Sequence, residues 1–424
     1  MRAADRTPLL SEIVITLLFI ILLCAPMLDA AYGGIFSYAD EAIAILLVLW
    51  ALLSRCGEKV GVHERRGLVA VGLLCTLGLV GNLVFGYQGS AFAIAVDLFT
   101  CTKIFVAYFA ARIMLRGKGR CLRAFQTIGK IFFVAAACGL LLHVAGVVQL
   151  GSGRVTFGIP CYQFIFSHPT NLAAYCVGFS ALMFAGKKPK IGWLVLACLI
   201  LVSTQRAKAV AMAFVILFFI FYGVMKRDDG KPSKLVFVFL GAGAVFLGMD
   251  QIQEYFLTST AARSLLMQDS LTIAGQLFPL GSGFATFGTY MSGEYYSPLY
   301  YEYGLNTVWG LWPSNPTFVS DSFWPAILAQ FGFIGLVVLV YLLVETGKSI
   351  AGDAGAKGIR FAAFGTVPIY LLILSTSDAS FFNFYGPFYA LTIAAIVSHD
   401  KHEEHLESVS TGNSSARIGN RGDK

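Results

Sequence analysis

Long apolar runs recur along this chain, and every second gap between them is basic. Few folds are compatible with that pattern. A backbone crossing hydrocarbon must satisfy its own hydrogen bonds, so apolar segments of this length fold as membrane-spanning helices. The runs lie near 9–27, 39–54, 67–87, 90–113, 124–149, 170–186, 191–204, 207–225, 235–249, 322–345, 360–376 and 386–399. Charged residues make up 13% of the 424 and hydrophobic ones 57%. A soluble chain carries about 25% charged residues. The expected fold class is therefore an all-α polytopic membrane protein of about twelve transmembrane helices.

The gaps after the second, fourth, sixth, eighth and tenth runs hold the basic residues. Arg55, Lys59, Arg65 and Arg66 come first, then Arg116, Lys118, Arg120 and Arg123, then Lys187, Lys188 and Lys190. Lys226, Arg227, Lys231 and Lys234 follow, and then Lys348, Lys357 and Arg360. The intervening gaps contain only Arg154, Arg206, Lys208 and Arg263. Basic loops stay on the cytoplasmic side, so both termini are expected in the cytoplasm. Ala25-Pro26-Met27 lacks a small-residue cleavage motif, so the first run reads as a span and not a removable leader. The basic residues form no single patch, which argues against nucleic acid as a partner.

This topology puts residues 250–320 outside. That segment holds one arginine, Arg263, no lysine or histidine, and the carboxylates Asp250, Glu254, Asp269, Glu294 and Glu302. It is too rich in Tyr, Trp, Phe and Gly to be a solvated linker, and long loops are commonly functional. The chain thus divides into spans one to nine (1–249), a partly helical cap (250–320), spans ten to twelve (321–400) and a polar, disordered cytoplasmic tail (401–424). Of nine cysteines only Cys161 falls outside the spans and inner gaps, so no disulfide framework is expected. There is no zinc-type Cys/His spacing and no Walker loop. No metal or other cofactor is expected.

Cations on an outer face nearly free of them demand an explanation. Arg206 lies in a polar break, Ser203-Thr204-Gln205-Arg206-Ala207-Lys208, between two apolar runs. Its planar donor fork suits phosphate oxygens; the alternative is an arginine snorkelling to headgroups. Arg263 either faces the membrane site or forms a surface pair with Glu254 or Asp269. Asp321, in Val319-Ser320-Asp321-Ser322-Phe323-Trp324-Pro325, either caps the next helix or serves as a desolvated base. The glycine-rich turn Gly281-Ser282-Gly283-Phe284-Ala285-Thr286-Phe287-Gly288 either offers amides to an anion or simply turns the chain. Tyr290, Tyr295, Tyr296, Tyr300, Tyr301, Tyr303, Trp309 and Trp312 suit sugar rings or an interfacial belt. Asp97 and Lys103 lie deep in the fourth run and should face the interior, paired or toward the site. His168 opens the sixth run before Pro169. Lys208, His168, Glu294, Tyr300 and Lys103 form the candidate substrate-binding set beside Asp321, Arg206 and Arg263.

Taken in order, these features resemble the O-antigen polymerase/O-antigen ligase superfamily of bacterial membrane glycosyltransferases. The resemblance rests on His168-Pro169-Thr170-Asn171, the Ser203–Arg206 break and the outer loop with Arg263. It also includes the Pro279–Gly288 turn and the entry from Asp321 to Gly335. It covers roughly residues 155 to 340. It implies a GT-C-like helical enzyme of the bacterial inner membrane that needs no metal and uses undecaprenyl-pyrophosphate-linked glycans. A chain-length regulator and a flippase would be its working partners. Arg206 and Arg263 fall where the family places arginines that hold the donor pyrophosphate. The ligase branch has a histidine-containing motif where this chain has Val319-Ser320-Asp321-Ser322, which favours the polymerase branch and makes Asp321 the candidate base, with Glu294 and Glu302 in reserve. The competing expectations are a ligase acting on lipid A core, a multi-span glycan transporter and a non-catalytic scaffold.

Overall fold

The computed structural model of the chain describes residues 7–32, 34, 36–54, 60–116, 118–156, 159–186, 188–225, 261–352 and 360–399. The expected ninth span at 235–249, the start of the outer loop at 250–260 and the tail at 401–424 lie outside these residues. The rest is largely helical. In chain order come α1 (Thr7–Tyr32), α2 (Ala39–Ser54), α3 (Val62–Phe85), α4 (Ala91–Met114) and α5 (Arg120–Val144). A hairpin of β1 (Gly151–Thr156) and β2 (Ile159–Tyr162) follows, then α6 (Pro169–Phe184), α7 (Ile191–Ser203) and α8 (Ala207–Met225). After these come α9 (Ala262–Gln276), the short α10 (Tyr290–Glu294) and α11 (Pro298–Glu302), α12 (Phe323–Gly352) and α13 (Arg360–Ser375). The last is α14 (Gly386–His399).

Among the described residues, five helices are long and apolar enough to cross a membrane: those containing Leu10–Asp29, Val62–Phe85, Ala91–Met114, Arg120–Val144 and Phe323–Gly352. α7, α8, α13 and α14 are apolar but shorter. Large apolar side chains such as Leu17, Leu53, Leu83, Ile131, Leu141, Phe221 and Val337 remain exposed on the helices, as a lipid-facing surface requires. Aromatic rings fill the interior. Phe19 stacks on Phe125 at 3.8 Å and on Phe388 at 4.8 Å, joining α1, α5 and α14. The Tyr175 hydroxyl donates to Leu22 O and that of Tyr389 to Ala174 O, so α6 is tied to α1 and α14.

The two ends of the bundle differ in character. At one end, Glu64 at the start of α3 pairs with Arg112 at the end of α4 (3.3 Å). His63 and Lys348 flank the buried Glu345 near the end of α12 (2.8 and 2.9 Å). At the other end, the last turn of α3 meets the glycine-rich turn of the loop. This loop is folded: Leu266, Ile273, Phe287, Leu299, Tyr300, Leu305, Leu311 and Val319 make a second apolar core with Ala329.

The clamp that docks the loop explains the glycines. Gly332 has φ +64 and ψ −170, which interrupts α12 and frees carbonyls one turn earlier. Ser282 N–H donates to Ala329 O and Gly283 N–H to Gln330 O. Phe284 N–H donates to Asn82 Oδ1, and Ala285 N–H donates to Asp97 Oδ2 at 2.7 Å. Gln330 Nε2 donates to Phe287 O. The amides from Ser282 to Ala285 are therefore occupied by α3, α4 and α12 and are not free for an anion. At Gly283 φ is +94, and a Cβ would sit 2.5 Å from Asn82 N. Gly283→Ala should cost about 1–3 kcal/mol in backbone strain alone. Its expected signature is a lower thermal midpoint for the purified protein and faster proteolysis within 262–320.

Buried charge in α4 serves the bundle as well. Lys103 Nζ lies 2.6 Å from both Asp40 Oδ2 and Glu41 Oε1, and Lys103 and Asp40 are almost fully buried. Removing Lys103 leaves two carboxylates without their cation, at a cost of about 3–5 kcal/mol. Lys103→Met is expected to lower the midpoint of thermal unfolding markedly; a variant as stable as the parent chain would contradict the assignment.

Candidate active site

The polar break between α7 and α8 is sharp. Thr204 closes α7 and is fully buried, and its hydroxyl donates to Leu201 O. Gln205 takes a left-handed φ of +52. The chain reverses there, so Arg206 and Lys208 stand at the top of α8 instead of continuing the line of α7. The unforeseen β1–β2 hairpin supports this corner: Cys161 Sγ lies 3.5 Å from Gln205 Oε1, and β2 is anchored by the Tyr162 hydroxyl donating to Ala136 O.

Three other segments reach the same place. His168 caps α6, its Nδ1 accepting from Thr170 N–H at 3.2 Å, while its Nε2 lies 3.1 Å from Arg206 Nη2. Arg263, in the first turn of α9, places Nη2 2.6 Å from Asp321 Oδ2, just ahead of α12. The segment between α13 and α14 closes the ring. Ser377 O accepts from Lys208 Nζ at 2.8 Å, and Asn383 Nδ2 donates to Asp378 Oδ1 at 2.7 Å. Trp324 Nε1–H donates to Ser375 Oγ, locking the start of α12 to the end of α13.

Electrostatics make these one site. The Lys208 ammonium lies within charge range of Asp378, Arg263, Asp321 and Arg206 together. Partial burial, and then the charge of Arg206, hold the His168 imidazole below its ordinary value, so it is neutral at pH 7. A neutral ring whose Nδ1 accepts from a backbone N–H carries its proton on Nε2. That tautomer would turn Nε2–H on Arg206 Nη2 at 3.1 Å, too close for two donors, so the neutral ring accepts either from Thr170 N–H or from Arg206, and not from both. Burial raises the Asp321 carboxyl above its usual range, offset in part by Arg263. It is a weaker acid than an exposed aspartate, as a general base working near neutrality must be.

Of the residues singled out from sequence, Arg206, Lys208, Arg263, Asp321 and His168 come together. Arg263 pairs with Asp321, and of the two surface pairings considered, Glu254 lies outside the described residues. Asp321 turns to that guanidinium, ahead of the helix it was considered to cap. Three candidates stand apart. Lys103 is engaged by Asp40 and Glu41. Tyr300 is fully buried in the loop core, its hydroxyl contacting Gly288 N at 2.8 Å and Ser292 Oγ at 2.7 Å. Glu294 is exposed at the end of α10, beside Tyr290. Asp378, Asn383 and the Ser377 carbonyl belong to the site, yet the sequence reading passed over them. The one available signal was a carboxylate in the short gap between the last two apolar runs, on the same side as Arg206. Among the described residues, no group of three or more His, Cys, Asp or Glu side chains could hold a metal ion.

No family model matches this chain, and no curated protein matches it.

Proposed function

We propose that this chain is a membrane glycosyltransferase that polymerises undecaprenyl-pyrophosphate-linked oligosaccharide repeat units at the outer face of the bacterial inner membrane. The observation that carries this reading is the convergence of Arg206, Lys208 and Arg263, with neutral His168, on one space that also holds Asp321 and Asp378. Among the described residues, three cations against two carboxylates leave a net positive charge, which suits a pyrophosphate. Under this reading the basic, ion-paired end of the bundle is cytoplasmic, about twelve helices cross the membrane, and the frame is GT-C-like. α7 has 13 residues, about 20 Å at 1.5 Å per residue, which is less than the roughly 30 Å hydrocarbon thickness. The Arg206 break would therefore sit recessed, at headgroup-phosphate depth or below.

The chemistry follows from these positions. An acceptor sugar hydroxyl attacks the anomeric carbon of the donor glycan as the bond from that carbon to pyrophosphate breaks. The bonding electron pair leaves on the phosphate oxygen, where Arg206, Arg263 and Lys208 stabilise the developing charge. The hydroxyl proton passes to Asp321. At rest Arg263 holds Asp321. As the guanidinium turns toward the incoming diphosphate, the opposing charge on Asp321 weakens and the carboxylate becomes more basic. The folded loop excludes water, whose attack would waste the donor. The products are a lengthened lipid-linked glycan and free undecaprenyl pyrophosphate.

Deletion of the gene tests the class of reaction. Single repeat units on lipid A, or unpolymerised lipid-linked repeats, are the expected result. Accumulated long lipid-linked polymer would instead mark a ligase, and sugar flux into vesicles with no new linkage would mark a transporter.

A further inference from the structure

A cavity lies among chain neighbours of the cationic site. It is about 280 Å³ and lies between the connection of α1 to α2 and the turn that opens α6. Asp29, Asp40, Ser37, Ser167 and Asn171 supply its polar lining, and Phe384 is among its apolar walls. Two of these residues flank the cationic site directly. Ser167 precedes His168, whose ring meets Arg206, and Phe384 follows Asn383, which holds Asp378. The turn at His168 thus has phosphate-seeking cations on one side and a carboxylate-lined hollow on the other.

The lining limits what can bind. Asp29 already accepts from Phe36 N–H and Ser37 Oγ, Asp40 from Lys103, and Asn171 donates to Ser167 Oγ, so a ligand would use the lone pairs and donors these contacts leave over. An anionic group would be repelled; a ring bearing several hydroxyls would be held at its edge by the carboxylates. Apolar wall from Phe384, Phe36, Leu22 and Pro26 suits the ring's apolar face. The volume is just below the roughly 300–1,000 Å³ typical of ligand pockets, enough for a sugar and too little for a polymer. Asp40 is also preorganised, since Lys103 grips its Oδ2 from below at 2.6 Å. A fixed acceptor pays little ordering entropy on binding.

We propose that this cavity is a neutral-sugar subsite that seats the pyrophosphate-proximal sugar of the lipid-linked substrate, with the phosphates on Arg206 and the ring hydroxyls on Asp40, Asp29 and Asn171. The proposal rests on the function proposed above. It adds a specificity rule: the sugar next to the pyrophosphate is hydroxyl-rich and uncharged, not a uronate.

Two probes separate the subsite from the phosphate site. One is undecaprenyl pyrophosphate without sugar, and the other is the lipid-linked oligosaccharide extracted from cells deleted for this chain. The purified full-length protein should hold the sugar-bearing lipid more tightly. Asn171→Ala and Asp40→Asn should each weaken it about tenfold, roughly the value of a hydrogen bond to a polar or charged partner. Binding of the sugar-free lipid should stay unchanged in both. Asp40→Asn leaves Lys103 its Glu41 partner; should it still fail to fold, Ser167→Ala takes its place. Unchanged affinity for the sugar-bearing lipid in these variants overturns the subsite while the phosphate reading stands. If instead the sugar-free lipid binds Arg206→Ala as well as it binds the parent chain, the phosphate reading fails, and the subsite falls with it.

Discussion

Arg206→Ala and Arg263→Ala will each reduce polymer formation by about 10²–10³-fold, the usual cost of removing one preorganised donor from a developing oxyanion. Both proteins should remain in the membrane at parental levels. Arg206 sits at a helix corner held by other residues: the buried Thr204, the left-handed Gln205 and the Cys161 contact. Its removal leaves that corner intact. Arg263 is one partner of a pair whose side chains are 22% and 32% exposed, so water can solvate Asp321 once the guanidinium is gone, and the structural cost is small. Lysine at either position should restore only part of the activity, because an ammonium cannot reproduce the planar two-pronged contact with phosphate. The comparison is polymer length and amount on gels against immunoblotted protein. Parental polymer in both variants would remove the phosphate role.

Asp321→Asn should lower the transfer rate by about 10²–10⁴-fold, the range a positioned general base contributes. The substitution keeps the shape of the side chain and leaves an oxygen for Arg263 to contact, so donor binding should persist while turnover is lost. A base must be unprotonated to act, so activity should fall as pH drops through the Asp321 pKa. Burial raises that pKa above the ordinary carboxylate value, with Arg263 opposing. The acid limb of the rate profile is thus expected above pH 4, the region of an exposed aspartate. Asp378→Asn is the companion measurement. Asp378 shares the charge environment of Lys208 and His168 but is fixed by Asn383. Full activity in Asp321→Asn together with loss in Asp378→Asn would transfer the base assignment to Asp378.

How much of this could be read from sequence depended on the range of the interaction. Apolar helices are local: an apolar run between polar gaps is sufficient, and α2 and α14 begin and end where those runs do. The corner at Arg206 was legible because four polar residues between two apolar runs have few other conformations open to them. That the loop folds was legible from its aromatic content, since such residues need a core. Long-range pairings were not legible. One partner of Arg263, Asp321, is 58 residues away along the chain. The glycine turn was open to two readings, an anion cradle or a plain turn, because nothing local reveals that Asn82, Asp97 and the broken helix at Gly332 take its amides. Lys103 looked like a site residue because a buried cation is conspicuous, whereas its two carboxylate partners sit on a helix about sixty residues earlier. Asp378 was overlooked for the opposite reason. A lone aspartate between Ser377 and Ala379 has no pattern around it, and only the folding of α13 against α6 and α8 brings it to Lys208.

The central claim is that one diphosphate is held jointly by groups from α6, α8 and α9. Its most direct test is the affinity of the purified protein for undecaprenyl pyrophosphate against undecaprenol, which has the same tail and no charge. The account predicts strong preference for the pyrophosphate, reduced in Arg206→Ala and in Arg263→Ala, with the double variant binding the two lipids alike. Equal affinity for both lipids in the parent chain, or a preference that survives loss of both arginines, would contradict it.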